Sequence, residues 1–184
     1  MNKYVILFFF ITGFAFAQPS QSTEEQILEA IDQKQKLINS SRVKNIDFKN
    51  IGPSVMSGRV VDISVNPDDP TEFYAAFATG GLWHTKDNGI SFNSIFDNSV
   101  TQNIGEIEVH WATRTIWVGT GENNSSRSSY SGVGILKSTN NGDTWENKGL
   151  SDSHHVGKIM LKPDDPNHVL VAVTGHIYSD NDMR

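Results

Sequence analysis

The sequence contains no cysteine among its 184 residues. Disulfide bonds, thiol chemistry and thiolate metal sites are therefore excluded, and packing alone would have to stabilise the fold after export. Basic residues are also few: 15 lysines and arginines stand against 21 acidic residues, for a formal net charge of −6. This balance argues against nucleic acid and anionic membranes as partners.

Long apolar runs are absent after residue 17, but one stands at the N-terminus. Lys3 gives a positive start, residues 4–16 are apolar, and Ala15-Phe16-Ala17 is a small-x-small cleavage site. The run is short for a membrane span, so an N-terminal anchor is the weaker alternative. We expect residues 1–17 to be a signal peptide that is cleaved before Gln18. The protein is then exported, to be secreted, periplasmic or at the cell surface, with no transmembrane segment after cleavage.

Residues 18–44 are predicted to form a helix and a linker ahead of the main body. Ser22-x-x-Glu25 has the form of a capping box, and apolar residues recur at helical spacing over residues 22–38. The apolar stripe is thin, so we expect the helix to pack loosely on the main body. A partner-binding helix is the alternative.

Two octets with one pattern organise the rest of the chain. Residues 85–92 and 138–145 both read Ser/Thr-x-Asp/Asn-x-Gly-x-Ser/Thr-aromatic. An Asp or Asn side chain accepts nearby backbone N–H groups, Gly accepts a positive φ, and the aromatic residue anchors the hairpin in a sheet. The pattern therefore predicts a tight turn between two strands in each octet. Its positions are Thr85, Asp87, Gly89, Ser91 and Phe92 in the first octet and Ser138, Asn140, Gly142, Thr144 and Trp145 in the second.

The octets belong to a repeat of about fifty residues. Apolar, strand-like runs precede each octet and one follows it, so each unit is predicted to contain four strands. The density of apolar residues in the first run, 58–65, favours its burial beside a central axis. The predicted strands are 58–65, 72–78, 81–85 and 91–96 in the first unit, 104–111, 115–119, 133–138 and 144–150 in the second, and 156–161 and 169–173 in the third.

The octet resembles the Asp-box, or BNR repeat, and is similar to turns of sialidases, xyloglucan-cleaving propeller enzymes and the sortilin ectodomain. Four further strings narrow the resemblance to large exported bacterial propeller proteins, often labelled sortilin-like or BNR-repeat glycosyl hydrolases. These strings are Asn50-Ile51-Gly52-Pro53, Met56-Ser57-Gly58-Arg59, Gly119-Thr120-Gly121-Glu122 and Ser153-His154-His155.

The resemblance implies an all-β fold: a β-propeller of four-stranded antiparallel blades over residues 45–184, with a short N-terminal helix before it. Residues 58–97 and 103–150 would each form a blade, and residues 154–184 an incomplete third. Residues 45–52 match the end of the second unit and would be a closing strand that pairs into the final blade. Because a ring needs typically four to eight blades, we expect the chain to be the N-terminal fragment of a longer propeller.

In such blades the loops between second and third strands share one end of the ring with the links between blades. We call this end the loop face and the opposite end, which carries the octets, the octet face. The long polar segments of this sequence all fall on the loop face, where rigid sheets commonly carry binding sites. These segments are 53–58, 98–103, 120–132, 151–155 and 175–184. The candidate ligand-binding residues there are Arg59, Glu122, Arg127, Tyr130, His154, His155 and His176.

Several candidates also have a structural interpretation. Arg59 could read a carboxylate or phosphate of a ligand, or pair with an acidic neighbour. Glu122 could be a general acid or base, although we favour hydrogen bonding that holds its loop. His154 and His155 are not expected to share a metal, since adjacent strand residues point in opposite directions. No metal and no cofactor is expected. The 4 tryptophans stand in strand patterns and favour core positions over sugar platforms.

Three functions remain open. The first is binding of a glycan, peptide or protein partner on the loop face. The second is glycoside hydrolysis, which the family label implies and which needs two carboxyls roughly 5–10 Å apart. No catalytic pair is identifiable, and Ala78 stands where xyloglucan-cleaving relatives have an Asp before Gly-Gly, so the catalytic carboxylates of such an enzyme are expected to lie partly outside this fragment. The third is a structural or adhesive surface module without a small ligand.

Overall fold

A computed structural model describes residues 21–46, 48, 58–127 and 129–179 of the chain. The predicted signal peptide and most of the predicted closing strand, residues 45–52, lie outside the described residues, so both stay predictions. Helix α1 spans Glu24–Ser40, a 3₁₀ helix spans Ser151–Ser153, and the remaining regular structure is antiparallel β-sheet. Among the described helices, none combines the length and apolar character needed to cross a membrane.

In the described part of the chain the strands form two four-stranded sheets and one pair, each with its strands in chain order. The first sheet contains β1 (Val60–Val65), β2 (Phe73–Phe77), β3 (Gly81–Thr85) and β4 (Asn93–Ser94). The second contains β5 (Ile104–His110), β6 (Thr115–Thr120), β7 (Ile135–Ser138) and β8 (Glu146–Asn147). The third is the pair β9 (Val156–Lys162) and β10 (Asp165–Val173).

The first strands of the three sheets lie side by side, with β5 between β1 and β9. A hydrogen bond of 3.0 Å from the Ile107 N–H to Asp62 Oδ2 joins β5 to β1. Repeated four-stranded antiparallel sheets, arranged with their first strands adjacent, make the described part of the chain a portion of a β-propeller. The predicted fold class is therefore confirmed.

Apolar side chains from facing sheets fill the space between them. Between the first and second sheets the fully buried residues include Tyr74, Leu82, Phe96, Ile107 and Leu136. A second cluster, between the second sheet and the β9–β10 pair, contains Trp117, Ile135, Val156 and Ile159. Burial of apolar area at about 25 cal/mol per Å² makes these two layers the main source of stability in a chain without disulfides.

Both predicted octet turns are present, each between the third and fourth strand of a sheet. Asp87 Oδ1 accepts hydrogen bonds from the Ser91 N–H at 2.9 Å and from the Thr85 hydroxyl at 2.8 Å. Asn140 makes the two equivalent bonds in the second octet, at 3.0 and 2.9 Å. Asn therefore preserves the acceptor role. Hydrogen bonds, chiefly from the Ser91 hydroxyl, lower the pKa of Asp87 to about 2.

The second octet ends in an aromatic anchor. The Trp145 ring meets Phe96 edge-on, with centroids 4.8 Å apart, and its Nε1–H donates to the Ile95 carbonyl at 3.1 Å.

We expect Trp145→Ala to destabilise the chain by roughly 3 kcal/mol, the low end for a large aromatic because the side chain is half-buried. Ile90→Ala is the control, since Ile90 is 88% exposed and its loss should cost under about 0.5 kcal/mol. Chemical denaturation measures both; equal costs would refute the anchoring role.

Two expectations about strands are corrected. Strand β1 was expected to be buried, but Val60, Ile63 and Val65 are each about half exposed, because no described residue packs on the outer side of the first sheet. The fourth strands were expected over 91–96 and 144–150, but only two residues of each are in strand conformation.

Helix α1 lies two residues later than the predicted 22–38. The capping box is Thr23 with Gln26, whose side chains and backbone N–H groups bond reciprocally, rather than Ser22 with Glu25. The helix contains no buried residue, as its thin apolar stripe predicted. Lys34 Nζ donates to the Ser99 carbonyl at 2.8 Å, and a cavity of about 470 Å³ separates the helix from the second sheet.

Candidate functional site

Backbone hydrogen bonds divide the loops between two faces. On the octet face, the Asn88 N–H donates to the Thr71 carbonyl at 2.8 Å, which joins the octet turn to the turn between β1 and β2. On the loop face, the Gly121 N–H donates to the Asn103 carbonyl at 3.0 Å. This bond joins the insertion, residues 120–132, to the link between the first two sheets.

An ion pair lies at the junction of two sheets on the loop face. Arg59 directly precedes β1 and Glu122 follows β6, and their Nη2 and Oε2 atoms are 2.5 Å apart. The Glu122 side chain is fully buried, whereas that of Arg59 is 44% exposed. The Ser129 hydroxyl donates to the same Oε2 at 2.5 Å. The buried carboxylate thus holds an arginine side chain that is partly exposed to solvent.

The Glu122 carboxyl remains ionised in its buried position. Burial by itself raises its pKa, but hydrogen bonds from Arg59 and Ser129, together with the charge of Arg59, outweigh burial and leave the pKa below its usual value. A carboxyl with a lowered pKa is a poor proton donor at neutral pH. The structural interpretation favoured from the sequence, a carboxylate that holds its loop, fits this arrangement.

His155 fixes the backbone of Glu122. Its Nδ1 lies 2.9 Å from the Glu122 carbonyl oxygen, which can only accept, so Nδ1 carries the proton and donates. Nε2 is then the unprotonated nitrogen. The ring is fully buried, and this burial lowers the pKa of His155 to about 4. His155 is therefore neutral at pH 7.

His154 and His176 complete a cluster of three imidazoles. The His154 and His176 ring centroids are 5.0 Å apart, and those of His155 and His176 are 6.0 Å apart. His154 is 2% exposed, and burial lowers its pKa. His176 is half-buried, and its Nδ1 lies 2.8 Å from the Ser179 hydroxyl. The structure thus brings five predicted candidates together: Arg59, Glu122, His154, His155 and His176.

The two remaining candidates lie apart from this cluster, on the outer surface of the insertion. Arg127 is exposed, and Tyr130 is 57% exposed. Tyr178, which the sequence did not single out, donates its hydroxyl to the Ser126 carbonyl at 2.5 Å and so ties the insertion to the third unit.

Buried polar atoms without a hydrogen-bond partner concentrate at this site. Among the described residues, six buried side-chain atoms have none, and five of the six belong to Glu122 or to residues 151–155. Such atoms are rare in folded proteins and mark a strained, hydrated or functional place. The five are Glu122 Oε1, Ser151 Oγ, Ser153 Oγ, His154 Nε2 and His155 Nε2. No group of three or more His, Cys, Asp or Glu residues in the described part could hold a metal ion.

A second polar network lies on the octet face, and none of its residues was a candidate from the sequence. Glu72 is 6% exposed and accepts two bonds from Arg114, at 2.5 and 2.9 Å, and one from Asn66 at 2.9 Å. His84 Nε2 lies 2.9 Å from Glu72 Oε1, and the Tyr74 ring stacks on the His84 ring. Hydrogen bonds, of which the one from Arg114 has the largest effect, lower the pKa of Glu72 to about 2. The network joins the first two sheets, and no short sequence motif predicts it.

No protein-family model and no curated protein matches the chain. Solved structures do. An ancestral GH74 enzyme aligns with a TM-score of 0.51 at 22% identity over 68% of this chain. The fold is that of a β-propeller. A GH74 enzyme from Niastella koreensis gives 0.46 at 18% identity over 60% of this chain, and the GH74 xyloglucanase from Xanthomonas campestris gives 0.40 at 16% over 53%. The chain spans 14% to 16% of the length of these three proteins.

Proposed function

We propose that this chain belongs to an exported β-propeller that binds a peptide, glycan or protein partner through its loop face. The observation that carries the proposal is the Arg59–Glu122 pair, in which a fully buried carboxylate orients an arginine side chain that is 44% exposed. A planar guanidinium that a carboxylate holds from below has a fixed orientation, which suits recognition of a ligand's carboxylate or phosphate group.

Stability alone gives little reason for such a pair. Burying a carboxylate is costly, and a buried ion pair commonly stabilises a fold less than apolar residues of similar volume. Here the pair lies in the loops rather than in the apolar layers between the sheets. The nearby buried atoms without partners add to the cost. Binding of a ligand supplies a reason for a costly arrangement at this place.

Glycoside hydrolysis is the second candidate, and the likeness to GH74 enzymes favours it. That chemistry needs a proton-donating carboxyl and a second carboxyl roughly 5–10 Å away. Glu122 is ionised and paired with Arg59, which makes it a poor acid. Ala78 offers no carboxyl at the position where xyloglucan-cleaving relatives have Asp. Binding therefore ranks first.

Arrays of glycans and of peptides, probed with the full chain, test the proposal. We expect retention of at least one array class without any change in the mass of the ligand. Shortened oligosaccharides in the eluate would support hydrolysis instead. Absence of retention on both arrays would refute binding of a glycan or a peptide.

Arg59→Lys is the variant that reports on the site. Lysine keeps a positive charge beside Glu122 but loses the planar fork, so we expect ligand affinity to fall at least tenfold while the melting temperature changes little. Lys86→Ala, an exposed change on the octet face, is the matched control and should leave affinity unchanged. A large loss of melting temperature with full affinity would assign Arg59 to the scaffold.

A further inference from the structure

The junction of residues 151–155, between the second sheet and β9, is under backbone strain. His154 has φ 58° and ψ −40°, a combination that residues with a side chain rarely adopt. Leu150, directly before the 3₁₀ helix, is also left-handed, with φ 55°. Strain of this kind persists only where the surrounding contacts enforce it.

Three hydrogen bonds make the junction the fastening point of the loop face. The Gly132 N–H donates to the His154 carbonyl at 2.6 Å, and the Thr174 N–H donates to the His155 carbonyl at 3.0 Å. The His155 ring donates to the Glu122 carbonyl at 2.9 Å. Both ends of the insertion and the end of β10 are therefore held by two consecutive histidines. If the junction opens, Glu122 loses its support.

The junction also contains two buried imidazoles that can take up a proton, those of His154 and His155. The rings of His154 and His155 both pack against His176, and among the described residues the charged groups that face them are Asp152, beside His154, and Glu122, beside His155. Arg59 already neutralises Glu122. A proton on one imidazole is thus poorly compensated and disfavours a proton on its neighbours.

We propose that the junction 151–155, together with His176, is a pH-sensitive latch, in which protonation of the buried imidazoles opens the junction and frees the insertion that carries Glu122. Opening exposes the imidazoles to water, relaxes the φ of His154 and hydrates the atoms without partners. The consequence for a ligand, release in acid, rests on the proposed function; the latch itself does not.

The direction and size of the effect follow from proton linkage. The pKa of His155 is about 4 when the latch is closed and about 6.5 when the ring is in water. The open form binds more protons between these values, so the closed form gains stability as pH rises and loses it as pH falls. For this one group, the ratio of open to closed molecules rises about twenty-fold from pH 7 to pH 5.

Hydrogen–deuterium exchange of the full chain at pH 7 and pH 5 tests the latch without a ligand. After correction for the intrinsic pH dependence of exchange, we expect opening of residues 120–127 and 151–155 to rise about twenty-fold. Strand β2 is the internal control and should change less than threefold. An equal rise in both regions would mean that the whole fold loosens and would overturn the latch.

His155→Asn is the decisive variant, because its amide can donate to the Glu122 carbonyl but cannot take up a proton. The pH response should fall below about fivefold in this variant, while His168→Asn, at an exposed histidine, keeps the wild-type response. A wild-type response in His155→Asn overturns the proposal. Should that variant fail to fold, NMR titration of the wild-type imidazoles decides: His155 neutral at pH 5 supports the latch, and titration near pH 6.5 overturns it.

Discussion

Glu72→Ala is expected to destabilise the chain by about 2–3 kcal/mol, below the usual cost of breaking a fully buried ion pair because the Arg114 side chain is 41% exposed and stays hydrated. In the variant Arg114 loses its ion-pair partner, and the buried side chains of Asn66 and His84 lose the carboxylate that they contact. Because Arg114 precedes β6 and Glu72 precedes β2, the loss loosens the contact between the first two sheets.

Urea denaturation measures this loss, with Glu146→Ala as control. Glu146 also forms an ion pair, with Lys148, but its side chain is 71% exposed, so its removal should cost far less than the removal of Glu72. Similar costs for the two variants would contradict a structural role for the Glu72 network.

The Glu72 network also sets an acid limit on stability. Its pKa is lowered from 4.5 to about 2, so its contribution is fully present above pH 4.5 and is lost as pH falls toward 2. The shift corresponds to roughly 3 kcal/mol. Glu72→Gln should remove this pH dependence, and stability curves measured between pH 5 and pH 2 would show it.

Gly121→Ala is expected to destabilise the chain by about 3–5 kcal/mol, or to prevent folding. Gly121 has φ +82°, and a Cβ there would collide with the His154 carbonyl and the Gly132 backbone nitrogen. Both obstacles are main-chain atoms whose positions are fixed by the hydrogen bond between them, so neither can move without breaking the junction.

Gly149→Ala separates the collision from the effect of φ. Gly149 has φ +98° but open space around its Cβ position, so its replacement should cost only about 1–2 kcal/mol, the price of a left-handed alanine. Thermal denaturation compares the two variants. Equal losses would show that the close approach of the insertion to the junction is not a constraint.

Local patterns were enough to predict the sheets. The turn of each octet can be predicted from the octet alone, because the side chains of Asp87 and Asn140 form hydrogen bonds within four residues and the glycine of each octet has a positive φ. Helix α1 could also be predicted from the sequence. Its N-cap could not, because Ser22 and Thr23 both stand three residues before a Glu or Gln.

Long-range pairings could not be predicted in the same way. Arg59 and Glu122 were each singled out, yet they are 63 positions apart, and only the packing of the first two sheets makes them partners. The Arg114–Glu72 pair has no motif at either end. The histidine pair was read as extended strand, whereas the left-handed φ of His154 lets both rings approach His176.

We propose that the loop face, and not the octet face, binds a ligand. The most direct test of this proposal is a hydrogen–deuterium exchange footprint of the glycan or peptide that the full chain retains most tightly on the arrays. We predict slower exchange confined to residues 58–60, 120–127 and 174–179 when that compound is bound. Protection of residues 66–72, 86–92 and 139–144 instead would place the ligand on the octet face and refute binding at the loop face.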